Sequence, residues 1–110
     1  MVKDYKPRRA GKRWLEGAPE YVLDCFDNRG KTCDRYTVMF GGSMYVLRYG
    51  RIAHLDMSGA PTHPQGVSLW GDSTLADAAA FRYREGHYRV RWLDLPENVR
   101  AHVVARATED

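Results

Sequence analysis

Asp24-Cys25-Phe26-Asp27-Asn28-Arg29-Gly30-Lys31-Thr32, running on through Asp34-Arg35 to Tyr36-Thr37-Val38-Met39-Phe40, is the stretch whose reading decides the fold. Tyr21 to Phe26 has the composition of a strand. Asp27 to Lys31 supplies turn chemistry, since Asn28 and Gly30 both accept positive φ. Tyr36 to Phe40 is the next strand, with Tyr36, Val38 and Phe40 on one face because side chains alternate along an extended chain. Gly41-Gly42 is a two-residue hairpin signal. Met44 to Tyr49 then reads as a third strand, and Gly50-Arg51 turns the chain into a fourth, Ile52 to Met57. Short strands with local connections predict an antiparallel meander.

Downstream the pattern changes. Ser58 to Gly71 holds Pro61, Pro64, Gly59, Gly66 and Gly71 without sustained periodicity, and is expected to be a long loop. Loops of that length in a compact domain are usually functional or packed as an Ω-loop. Leu69 and Trp70 are expected to anchor its far end in the core. Ser73 to Phe81 predicts a short Ala-rich helix with Ser73 as N-cap and Asp77 in the first turn. Tyr88 to Trp92 alternates strictly, which predicts a further strand with Tyr88, Val90 and Trp92 inward and Arg89 and Arg91 facing solvent or an acidic partner. A last helix is expected from about Leu95, with Asp94 and Glu97 as a capping box and Pro96 in the first turn. Leu95, Val99, Val103 and Ala107 form its apolar stripe, with Val104 beside it. The expectation is an α+β fold: an antiparallel meander sheet of about five short strands, with the Ala-rich helix and the C-terminal amphipathic helix packed on it.

The chain as a whole agrees with one such domain. It has 110 residues, 44% hydrophobic and 28% charged, with ten Gly and five Pro to serve tight turns. Residues 1–16 hold Lys3, Lys6, Arg8, Arg9, Lys12 and Arg13 against Asp4 and Glu16, a net +4, so the remainder nets −1. The basicity belongs to an arm. Residues 1–17 are read as a flexible basic arm, pinned where Trp14 packs, and residues 18–110 as the globular domain. No apolar run approaches the roughly 20 residues of a membrane helix, and the N-terminus lacks a signal-peptide apolar region. A cytoplasmic protein of a bacterial host cell, with no membrane partner, is expected. Cys25 and Cys33 do not have metal or redox spacing. With a turn at 28–31, Phe26 would face Cys33, and the two sulfurs would project to opposite sides of the sheet.

Several short motifs in one order carry a resemblance. Asp27-Asn28-Arg29-Gly30-Lys31-Thr32 and Asp34-Arg35-Tyr36-Thr37-Val38 are followed by Met57-Ser58, Pro61 and His63-Pro64-Gln65-Gly66. His87 to Trp92 then leads into Leu95-Pro96-Glu97. Over about residues 20–105 the chain resembles a widespread group of small, mostly uncharacterised phage and prophage proteins. The basic arm and the Ala-rich helix look like additions to that pattern, and Gly59-Ala60 stands where an acidic-containing pair is expected. The resemblance implies a mobile-genetic-element origin.

Four chemistries compete for these residues. Arg35 would bind an anion in a pocket bordered by Ser58 and His63, with Gln65 nearby; alternatively Asp34 and Arg35 pin the long loop through its backbone groups. His54, Asp56, Ser58 and His63 invite a small hydrolase, with His54 and Asp56 two apart on one strand face, but no G-x-S-x-G elbow accompanies them. Gly30-Lys31-Thr32 ends like a phosphate loop, yet Cys25 stands where the first Gly belongs. Lys6, Arg8, Arg9, Lys12 and Arg13 of the arm, with an Arg- and Tyr-bearing sheet face, would suit nucleic acid or an acidic protein surface, against a solubilising tail with no partner. No cofactor and no metal is expected. The leading expectation is a phage or prophage binding protein that occupies a host protein or nucleoprotein surface, or sequesters an anionic ligand. Counter-defence, including inhibition of a CRISPR effector, is its sharpest form. Arg35, Ser58, His63, Gln65, Arg89 and Arg91 are the candidate contacts. The alternatives are a nucleic-acid-binding accessory protein and a hydrolase, and a homodimer through an exposed edge strand stays open.

Overall fold

Alternation along two neighbouring strands sorts the side chains onto two faces. In the computed structural model, which describes residues 10–29, 35–41, 51–66 and 68–107, β1 (Val22–Asp27), β2 (Tyr36–Phe40), β3 (Arg51–Met57) and β4 (Ser68–Thr74) form one antiparallel sheet in the order β1-β2-β3-β4. Val38 lies opposite Leu55 and Tyr36 opposite Met57, while Thr37 lies opposite Asp56 and Met39 opposite His54. The first set faces one side and the second set the other.

On the first face Tyr36, Val38, Leu55 and Met57 join Val22 and Cys25 of β1 in a core. It is closed by Leu95, Val99 and Val103, the stripe of the helix Glu97–Ala107, together with Trp92 and Leu15. Burying each of those aliphatic side chains contributes about 1.5–3 kcal/mol. We label the helices α1 (Lys12–Leu15), α2 (Leu75–Glu85) and α3 (Glu97–Ala107). On the second face a smaller core gathers Leu23, Phe26, Met39 and Ile52 under Ala78 of α2, with Phe81 packed against it. The Phe26 and Phe81 rings meet edge to face, 5.1 Å between centroids.

The α+β class holds, with four strands among the described residues. The expected strand 44–49 lies outside them, and the partner of β2 is β3, with Phe40 opposite Ala53. The expected strand 88–92 is instead a 3-10 turn (Gly86–Tyr88), a single bridge between Phe26 and Arg89, and a second 3-10 turn (Trp92–Asp94). Ser58 to Gly71 is not all loop. Ser68–Thr74 pairs with β3 along its whole length, so Ser73 is a strand residue and α2 starts at Leu75. Leu69 and Trp70 face outward, 59% and 42% exposed, rather than into the core.

Three local details differ for identifiable reasons. The β1–β2 turn is longer than residues 28–31. Asn28 N donates to the Arg35 carbonyl and Asp27 pairs with Tyr36, which sets Phe26 opposite Thr37. Arg29 adopts φ 52°, held by its N–H donating to Asp27 Oδ1. Asp94 does not cap α3: its carboxylate takes the Arg91 N–H and guanidinium, and the Pro96 carbonyl accepts the first helical bonds from Val99 and Arg100. Within the N-terminal region, Leu15 is buried and Ala10 N donates to the Leu23 carbonyl, so residues 10–15 are seated on the sheet with Trp14 packed against the core.

Candidate functional site

The second face of the sheet is only half apolar. Beside the core under α2 runs a polar strip made by the residues between the inward-facing ones. Asn28 Nδ2 donates to Thr37 Oγ1 at 3.0 Å, and Thr37 Oγ1 donates to Asp56 Oδ1 at 2.8 Å. Asp56 Oδ2 is 3.4 Å from His54 Nε2. Thr37 is buried, so the relay is fixed from below. Gly71 stands opposite His54 on β4, and a Cβ there would come within 2.6 Å of His54 Nε2. Glycine at this position makes the room in which the imidazole lies. Above the strip, Asp77, Phe81 and Arg84 of α2 form the other wall of a cleft of about 350 Å³. The Thr37 proton goes to Asp56 and not to His54, so the trio is not ordered as nucleophile, base and acid.

Arg35, Arg89 and Arg91, the arginines expected as contacts in the domain, each end on a carboxylate. Asp24 is fully buried and accepts from Arg89 Nε and Nη2, both at 2.8 Å, and from Arg82 Nε at 2.9 Å. Arg82 Nη2 also donates to the Leu23 carbonyl. Hydrogen bonding to Asp24 raises the Arg89 guanidinium pKa, against the effect of its own partial burial. Arg89 therefore faces inward and ties the chain after α2 to β1, contrary to the solvent-facing expectation. Arg35 forms a bidentate pair with Asp27 across the β1–β2 turn, at 2.6 and 3.1 Å. Those bonds hold the Asp27 carboxyl below the usual carboxylate range. Arg91 pairs with Asp94 at 2.8 Å and lowers the Asp94 pKa in the same way.

Ser58, His63 and Gln65 share the β3–β4 loop, but His63 Nδ1 accepts from the Gln65 backbone N–H. That ring nitrogen serves the turn. His63 N donates to the Ala60 carbonyl and Gly66 N to the His63 carbonyl. A Cβ on Gly66 would meet the Ala60 oxygen, so the loop closes only with glycine there. The loop is pinned by Asn98 Nδ2 on the Gly59 carbonyl, and β4 by Ser68 Oγ within 2.6 Å of His102 Nε2. Both anchors come from α3, whereas Arg35, the expected pin, is engaged with Asp27. Lys12 and Arg13 are exposed on α1, with Arg13 stacked 5.0 Å from the Trp14 ring; Lys6, Arg8 and Arg9 lie outside the described residues, as do Asp34 and Cys33.

The two borders of the sheet differ. Along β1, Ala10 N donates to the Leu23 carbonyl and Val90 N to the Cys25 carbonyl, so the chain covers its own first strand. Among the described residues β4 is the last strand on the other side. It presents Leu69 on the second face and Trp70 on the first, where the Arg106 guanidinium lies 5.7 Å from the indole centroid. Sequence reasoning placed His54 and Asp56 on one strand face, but not Thr37 beneath them or Gly71 beside them. The pairing register that joins these four is not written in any one segment.

Among the described residues no group of three or more His, Cys, Asp or Glu is placed to hold a metal ion. No described helix is long and apolar enough to cross a membrane. No family model, curated protein or solved structure matches the chain.

Proposed function

We propose that the chain is a binding protein carried by a phage or prophage, and that it acts by occupying a surface of a host protein with β4 as the contacting strand. One observation carries this reading: of the two sheet borders, β1 is covered by Ala10 and Val90, while among the described residues β4 is the last strand and exposes Leu69 and Trp70. A terminal strand offers main-chain groups to an extended segment of a partner, and the side chains beside it select the segment. Trp is among the residues that most often dominate binding energy. The motif resemblance supplies the origin, and counter-defence, with inhibition of a CRISPR effector as its sharpest form, is the role such a protein would serve inside the bacterial host cell.

The competing readings draw on residues that are engaged elsewhere. Sequestering an anion would use Arg35, Arg89 and Arg91, which bond to Asp27, Asp24 and Asp94. A hydrolase built on His63 would need a ring nitrogen that accepts from Gln65. Nucleic-acid binding keeps one observation in its favour, the exposure of Lys12 and Arg13 on α1.

The test is a pull-down from nuclease-treated bacterial lysate with three chains: the unaltered protein, Leu69→Lys with Trp70→Ala, and Lys12→Ala with Arg13→Ala. The expected result is a discrete protein, retained after nuclease and by the α1 variant, and lost from the β4 variant. Recovery of nucleic acid, or protein capture indifferent to the β4 changes, overturns the reading.

A further inference from the structure

Leu69 and Trp70 are neighbours on β4, yet they stand on opposite faces of the sheet and both are exposed. A helix or a small molecule lying on one face would cover only one of them. A strand paired edge to edge with β4 covers both, because its own side chains alternate in step. Among the described residues β4 pairs with β3 alone, so its outer side is open to such a strand. We propose that the strand is β4 of a second copy of this chain, and that the protein in isolation forms a reversible two-fold dimer centred on Trp70. The inference does not rest on the host-surface reading, since it concerns the protein alone.

The strand Ser68-Leu69-Trp70-Gly71-Asp72-Ser73-Thr74 selects the register. Residues opposite each other share a face, so a two-fold axis normal to the sheet passes through a residue position. An axis at Trp70 sets Trp70 opposite its own copy, Leu69 opposite Gly71 and Ser68 opposite Asp72. The two indoles then form a cross-strand aromatic pair on the first face. On the second face Leu69 meets no side chain from position 71. It meets the His54 imidazole that overlies Gly71, where the place of a Cβ is 2.6 Å from Nε2 and 2.7 Å from Cε1. An axis at Gly71 would set both apolar residues against Ser73 and Asp72, and one at Asp72 would put two acidic residues opposite each other. An axis at Leu69 would bring the indole onto Ser68, whose hydroxyl lies 2.6 Å from His102 Nε2. Ser68–Thr74 also lacks the Lys and Pro that commonly block exposed edges. One short strand pair falls at the low end of interface sizes, below roughly 1,200 Å² in total, so the dimer exchanges with single chains.

Sedimentation velocity of the purified full chain, from micromolar to millimolar concentration, is the first test. The mass should rise from one chain to two and stop there, and dilution should reverse it. Trp70→Lys, which sets like charges opposite each other at the axis, should stay a single chain throughout. Trp70→Cys tests the register. Directly opposed residues of antiparallel strands have Cα atoms about 4.5–5.5 Å apart, within reach of a disulfide. Mild oxidation should therefore give a covalent dimer on a non-reducing gel. Two copies of Leu69→Cys would stand ~8 Å apart, beyond that reach. That variant should remain uncrosslinked, as should the unaltered chain, which controls for Cys25 and Cys33. Each variant must keep the circular dichroism of the unaltered chain. If one does not, the unaltered chain and the remaining variants decide. A single chain at every concentration, association that Trp70→Lys leaves unchanged, or crosslinking of Leu69→Cys equal to that of Trp70→Cys overturns the proposal. A single chain that still captures a host protein through β4 sinks the dimer alone, and a dimer that captures none sinks the host reading alone.

Discussion

The two faces of the sheet are cut from the same four strands yet are held by different forces. The first is sealed by an apolar stripe, Leu95, Val99 and Val103 of α3, against Val38, Leu55 and Met57. The second is apolar only under α2, and it relies on Asp24, Arg82 and Arg89 to bring α2 and the following turn onto β1. Packing on the first face is non-directional and tolerates exchange among shapes. The brace on the second is directional, and each partner is costly to leave alone.

Removing the centre of that brace tests the contrast most severely. Asp24→Ala should cost about 3–5 kcal/mol, because it leaves two partly buried guanidinium groups without their carboxylate; urea denaturation measures it. Asp24→Leu sharpens the contrast. A leucine is what the opposite face would accommodate, yet here it should fare no better than alanine. If Asp24→Leu proves as stable as the unaltered chain, the brace contributes no stability and the two faces are alike.

A smaller effect is expected at Gly71. An alanine there drives its Cβ into the His54 ring, and overpacking of this kind costs about 1–3 kcal/mol. The loss should be accompanied by shifts in the His54 imidazole resonances and not in those of Val99 or Val103. Broad changes on the first face would mean that the faces are mechanically coupled.

The smallest effect belongs to acid titration. Arg35 holds the Asp27 pKa below its unfolded value. The pair therefore contributes stability above the unfolded carboxyl range, about pH 4. That contribution is lost as pH falls through the lower folded value. For a solvent-facing pair it amounts to no more than about 1 kcal/mol. Comparing the unaltered chain with Asp27→Asn by thermal denaturation from pH 6 downward should show a gap that closes in acid. A constant gap would assign the effect to the turn geometry around Arg29 instead of to charge.

The first face was readable in advance, because its signals are local. Period two in Tyr36 and Val38, and helical spacing in Leu95, Val99 and Val103, each identify a buried side within a single segment. The second face was not, because its meaning depends on distant partners. Arg89 alternates with Val90 and reads as an outward strand residue, yet it turns inward to a carboxylate 65 positions away. Ser68–Thr74 has no apolar period of its own and becomes a strand through its register with β3. Of the residues weighed for a hydrolase, His54 and Asp56 were visible as a same-face pair, but the cleft also draws on Thr37 from β2 and Asp77 from α2.

The seating of Ala10 and Val90 along β1 also bears on stoichiometry. A sheet whose first strand is already flanked can be lengthened only past its last. One guest strand, or one twin related by a two-fold axis, fills that position, and head-to-tail polymerisation has nowhere to continue. If β4 is the contacting strand, as proposed, sedimentation with a strand-donating partner should end at a single added chain, however much is supplied.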